Sequence, residues 1–246
     1  MDTKDRIQKL FAEKLRTNER IQNLQGRIEK GTATYKQAEK YAELVGRLYA
    51  EAFKEVVGTA EDVGSDFYFE TVREVFPPGL QSIFTETAAY VEQVQRLQNE
   101  KAGVGLKPLL PDFKDIHTDY LEKLQETATD KGMEFAMSSE SEFYAQKVVD
   151  AAVRMNAEAH ANAGLEVRVT RIYDGIGVRN RTEPCEWCLS RAGENMTLSE
   201  AKAKDVFSRH PRCGCTVIYT SAKGETTMRV GGSGWVRADE YARRKG

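Results

Sequence analysis

Histidine is scarce in this chain, three among 246 residues, and cysteine (four) and tryptophan (two) are nearly as rare. So few histidines leave little room for the usual acid–base chemistry near neutral pH. No apolar run approaches the roughly 18 residues that read as a membrane span. Met1 leads straight into the charged Asp2-Thr3-Lys4-Asp5-Arg6, so no secretory signal is expected. The glycine motifs that cradle phosphate are missing as well: Gly175-Ile176-Gly177 lacks the third glycine or lysine and reads as a turn. Internal repeats are absent. With 40 % apolar and 30 % charged residues, the chain has the composition of an ordinary soluble protein and can bury a core without help from a metal.

What is present is concentrated. All four cysteines and one histidine fall in two clusters, Cys185-Glu186-Trp187-Cys188 and His210-Pro211-Arg212-Cys213-Gly214-Cys215. Two thiolates three positions apart can grip one face of a tetrahedral Zn²⁺, and a second cluster brought back by the intervening segment can complete the shell. In a reducing cytoplasm, spaced cysteine pairs serve as metal ligands more often than as disulfides. Cys185, Cys188, His210, Cys213 and Cys215 offer five donors for four positions. The expected set is Cys185, Cys188 and Cys215, with the fourth place falling to His210 or Cys213. A closed shell has no position for water or substrate, which argues for architecture rather than catalysis. Trp187 is expected to pack over the site. His117 and His160 fall in ordinary helical segments, and no second activating histidine or carboxylate set stands near the clusters at the spacing a metal hydrolase or nuclease would need.

Apolar residues at three-to-four spacing predict helices before the clusters. The first stripe runs from Ile7 to Ile28 and breaks near Gly31; a second runs from a Thr34 cap to Gly58; a third covers Glu61 to Phe76 and ends at Pro77-Pro78-Gly79; a fourth covers Leu80 to Lys101. An amphipathic helix is predicted over Asp112 to Asp130. Another is opened by a capping box at Ser139-Glu140-Ser141-Glu142 and ends near Gly164. Alternation over Leu165 to Tyr173 predicts a strand, Thr197-Leu198-Ser199-Glu200 caps a short helix, and Cys215 to Thr220 predicts a second strand. The expected fold is α+β: a mostly helical part over residues 1–110, then an α+β module with the Cys/His cluster over 111–222, and a flexible tail over 223–246.

Charge is unevenly spread. Residues 111–166 carry 5 basic against 12 acidic side chains, while 167–246 carry 15 against 9. A basic cluster-bearing lobe suits nucleic acid or an acidic protein surface. Arg168, Arg171, Arg179, Arg181, Arg191, Arg209 and Arg212 would supply phosphate contacts in a zinc-stabilised nucleic-acid-binding protein, the alternative reading.

A helix ending in alanine and glycine (Arg154 to Gly164), a strand, an Asp-Gly turn, a CxxC and then His-Pro-x-Cys-x-Cys together resemble the C-terminal domain of phage Mu F-like head morphogenesis proteins, also called minor capsid or minor head proteins. The resemblance covers roughly residues 110–220 and is strongest from Pro184 to Cys215. It implies a nonenzymatic, low-copy virion component made in the host cytoplasm. Such a component associates with portal and capsid proteins and the head interior, and acts in capsid assembly and DNA packaging or ejection, with contact to packaged DNA open. It also implies a structural role for Cys185, Cys188, His210, Cys213 and Cys215.

Overall fold

The computed structural model describes residues 2–116, 124, 132–173, 185–211, 213–222, 227–229 and 235–237. Helices α1 (Thr3–Thr17) and α2 (Glu19–Glu29) divide the first predicted stripe at Asn18, whose side-chain oxygen accepts from the amides of Arg20 and Ile21 at 3.0 and 3.1 Å. The stripe alone hides this break, because a capping asparagine restarts the helix on the same apolar face. Helix α3 (Tyr35–Val57) starts where predicted, with the Thr34 amide donating to Gln37 Oε1 at 3.0 Å. A single turn, α4 (Ala60–Val63), precedes α5 (Ser65–Lys101).

Helix α5 corrects the expectation that Pro77-Pro78-Gly79 separates two helices: it runs through all three residues. Two prolines remove the donors that would reach the carbonyls of Arg73 and Glu74. Both of those residues are exposed, so solvent can satisfy the freed groups. Val75, Phe76, Gly79 and Leu80 are buried on the other side. There the Tyr49 hydroxyl donates to the Val75 carbonyl at 3.1 Å and lies where a side chain on Gly79 would have to be: a Cβ would come within 1.8 Å of it. Burial on both sides of the prolines outweighs the lost hydrogen bonds.

After a turn of helix, α6 (Phe113–Ile116), the rest of the helix predicted to Asp130 lies outside the described residues apart from Leu124, which is buried. Helix α7 (Met133–Asn162) begins before the expected capping box. Ser139 is buried inside it, and Glu142 pairs with Arg47 of α3 (3.4 Å) instead of closing a cap. Ala136 and Met137 extend the buried stripe upstream, so the helix gains core contacts by starting earlier. Gly164, at φ +83°, turns the chain into β1 (Glu166–Ile172).

The remaining elements are α8 (Glu186–Arg191), β2 (Gly193–Thr197), α9 (Leu198–Ala203) and β3 (Thr216–Ala222). They give an antiparallel sheet of order β2-β1-β3, with Val169 opposite Tyr219 and Arg171 opposite Val217. Strand β2 has no sequence signature, since only Met196 of its five residues is buried. Within the segment read as a tail, β4 (Thr227–Arg229) and β5 (Trp235–Arg237) pair as an antiparallel ribbon.

Packing is continuous across residue 110. One buried cluster runs from Ile7 to Tyr219, and α3 packs on α7 and β3 alike. Where α3 crosses α7, Gly46 lies so close that a Cβ would meet the Glu142 amide nitrogen and the Ser141 carbonyl at 2.5 Å. A buried polar chain crosses the same interior. Gln95 bonds Tyr35, Asn99 (2.7 Å) and the Tyr219 hydroxyl (2.7 Å), and His160 lies between Ser221 (2.8 Å) and Tyr219 (3.3 Å). His160 is thus a core residue. Among the described residues no helix is long and apolar enough to cross a membrane.

Candidate metal centre

The two cysteine clusters meet. Cys185 is the N-cap of α8 and Cys188 lies one turn in, so the CxxC spacing aims both sulfurs to one side of the helix start. The Cys185 amide is fixed by donating to the Tyr173 hydroxyl at 3.1 Å. On the returning segment, the Cys213 amide donates to the His210 carbonyl at 3.2 Å, and this turn presents His210 and Cys213 together before β3 begins.

His210 Nε2 sits 3.4 Å from Cys185 Sγ and 3.0 Å from Cys188 Sγ, and Cys188 Sγ lies 3.6 Å from Cys213 Sγ. Donors in a tetrahedral zinc site with bonds of about 2.0–2.3 Å stand roughly 3.4–3.8 Å apart; the 3.4 and 3.6 Å separations match that spacing, and the 3.0 Å pair is closer. The ligand atoms of Cys185, Cys188 and His210 all lie within 4.8 Å of one another, as do those of Cys188, Cys213 and Cys215. Cys188 belongs to both groups, which makes it the hub of the five donors. None of the four cysteines is joined in a disulfide. The cluster can hold a metal ion.

Its surroundings suit that task. His210 Nδ1 is 2.8 Å from the Pro211 carbonyl, an acceptor only. The proton therefore belongs on Nδ1, leaving the Nε2 lone pair facing the sulfurs. Hydrogen bonding to Cys213 raises the His210 pKa against burial, which lowers it. Thiolate character concentrates on Cys213. Its pKa is lowered first by a hydrogen bond from Cys215, against burial, with His210 and the charge of Arg209 adding to the effect. Cys215 is raised by the same bond and by burial. Burial also pushes the Cys188 thiol up, and the Cys213 charge pushes it further. A bound cation would reverse the penalty on the neighbouring thiols, since ligand cysteines bind as thiolates.

Two buried arginines flank the centre. Arg171 is 2 % exposed; its Nη2 donates to Cys213 Sγ at 3.3 Å, and its Nη1 to the carbonyls of Val206 and Ser208 at 2.5 and 2.6 Å. Arg209 donates to Asp150 through Nε (2.7 Å) and Nη2 (3.0 Å), to Glu39 (2.7 Å) and to the Cys213 carbonyl (2.9 Å). Burial works against the Arg209 charge, but Asp150 and Glu39 hold it protonated. Burial likewise raises Glu39 well above the carboxylate range despite Arg209. Trp187 packs as predicted: its ring meets His210 edge-on at 5.0 Å and carries the Arg191 guanidinium at 3.8 Å.

These positions remove two of the seven arginines assigned to phosphate contact, because Arg171 and Arg209 are interior and their terminal nitrogens donate to protein groups. Arg168 pairs with Glu166 (2.6 Å) and Arg191 with Asp205 (3.4 Å); Arg179, Arg181 and Arg212 lie outside the described residues, as does His117. Arg171, Arg209, Glu39 and Asp150 were not singled out in the sequence as parts of the site, yet three of them carried a signal. Arg171 continues the inward phase of Val167 and Val169. Glu39 falls on the buried stripe of Tyr35, Ala42 and Gly46, and Asp150 on that of Gln146, Val153 and Ala157. A charge in core phase marks a buried ion pair. No family model, curated protein or solved structure matches the chain, so the arrangement speaks for itself.

Proposed function

We propose that this chain is a noncatalytic structural protein whose Cys/His centre holds one zinc ion, and that it serves as a minor capsid or head morphogenesis component of a phage virion. The meeting of two donor triads at Cys188, one with Cys185 and His210 and the other with Cys213 and Cys215, carries the metal half. Thiolates with an imidazole favour zinc over the hard cations, and five donors for four places leave no position that a substrate needs. The ion would pin the α8 turn to the start of β3 and close the sheet against the helices. The virion half rests on the Mu F-like order of helix, strand, CxxC and His-Pro-x-Cys-x-Cys. In that reading the helical body faces the portal or neighbouring capsid subunits. The interior commitment of Arg171 and Arg209 weighs against the nucleic-acid alternative.

Element analysis of protein purified without added metal should give one zinc per chain, with few thiols reactive before chelation. Co-expression with the portal protein of the same genome should yield a complex that persists through size-exclusion chromatography. A portal that elutes alone, together with a DNA shift that weakens steeply with salt, would replace this reading with the nucleic-acid one.

A further inference from the structure

Arg209 touches both the centre and helices α3 and α7 through its side chain. It immediately precedes His210 in the chain, and its Nη1 holds the carbonyl of Cys213 at 2.9 Å. The rest of the guanidinium spans Asp150 of α7 and Glu39 of α3, with side-chain exposures of 1 % for the arginine, 3 % for Asp150 and 7 % for Glu39. The site-forming turn, the contact of α3 with α7 and a buried ion set therefore share one rigid planar group. Glu39 Oε2 is buried and has no hydrogen-bond partner among the described residues. An ion held by the thiols would fix the peptide that Arg209 grips.

We infer that Arg209 couples occupancy of the Cys/His centre to the packing of α3 on α7, so that loading the metal tightens the helical body and removing it loosens that same interface. The inference rests on the reading of the cluster as a metal site. It makes the ion a lock on the whole fold instead of a local staple. A fixed guanidinium can transmit this effect because losing either end leaves buried charges without partners, which costs far more than losing an apolar contact.

Hydrogen exchange separates the two cases. An opening that releases the ion is suppressed by the factor 1 + [L]/Kd, about 100-fold when free zinc is about 100 times Kd. Every amide that exchanges through such an opening slows by that factor, and an amide that opens independently does not slow at all. The full chain is stripped with EDTA under reducing conditions or loaded with zinc, and metal content is measured on the same samples. In the parent, amides around Glu39 and Asp150 that exchange below the global limit should slow by the same factor as those of residues 185–215. In the triple variant Arg209→Met, Glu39→Gln, Asp150→Asn, which removes the buried charges together, the factor should persist at 185–215 and fall to near one in α3 and α7. Arg209→Lys, which keeps the charge but cannot span all three acceptors, should lower the helical factor while zinc uptake remains, and serves if the triple variant does not fold. Slowing confined to 185–215 in the parent overturns the coupling while leaving the metal site standing, and an undiminished helical factor in the folded variants overturns the role of Arg209. A chain that takes up no zinc overturns the metal reading itself and the coupling with it.

Discussion

Placing one methyl group on Gly46 tests the packing that joins the two halves of the chain. A Cβ there would lie 2.5 Å from the Glu142 nitrogen, 2.5 Å from the Ser141 oxygen and 2.6 Å from the Glu142 Cα, against 3.4–4 Å for ordinary contact. All three are backbone atoms of α7 and cannot rotate aside, so the helices must separate by about 1 Å and the core around them loses contact. Overpacking of this kind costs about 3 kcal/mol, and the better helix propensity of alanine returns about 1 kcal/mol, leaving a net loss of about 2 kcal/mol for Gly46→Ala. Gly26 of α2 is the control, since nothing lies within 4 Å of its Cβ position. Gly26→Ala should therefore gain about 1 kcal/mol. For a chain of this size the two variants should melt about 4–8 °C below and about 2–4 °C above the parent, respectively. Urea unfolding with an unchanged slope gives the free energies directly. Gly46→Ala as stable as Gly26→Ala would refute the close crossing of α3 and α7.

The buried His160 gives a pH dependence of definite sign. Burial lowers its pKa below the ordinary 6.5, so the unfolded chain binds the proton first. This contribution to stability is complete above 6.5 and is lost as pH falls from there toward the lowered folded value. His160→Gln should flatten the slope in urea titrations either side of 6.5, and an identical slope would count against a buried imidazole. Asn156 donates to the Leu109 carbonyl (2.7 Å) and accepts from the Leu109 amide (2.9 Å). Asn156→Ala should cost about 1–3 kcal/mol and speed exchange at Leu109, whereas full protection there would show that the connecting segment is held by other means.

The local chemistry of the centre was legible in the sequence, and its setting was not. Cysteine spacing marked the side chains that cluster because one helical turn dictates how a CxxC presents its sulfurs, and the Thr197 cap was legible because Glu200 reciprocates within the same short stretch, at 2.7 Å from the Thr197 amide. The same pattern at Ser139 misleads, because Ala136 and Met137 already lie in the core and draw the helix start upstream. Pro77 and Pro78 fail as a stop for the reason that tertiary contacts hold the turns on both sides of them. The partners of Arg209 lie 59 and 170 residues away, a distance over which periodicity can mark each carboxylate as buried but cannot pair it with its arginine.

Strand β3 packs on α3, and the Tyr219 ring lies 5.7 Å from that of Tyr35. During synthesis, the first helices therefore emerge long before the strand that covers them. Until residue 222 clears the ribosome, the apolar interior of the early helices stays open on that side. Completion must follow translation through residue 222 instead of proceeding piece by piece, which exposes the nascent protein to self-association and gives a chaperone a defined interval in which to act.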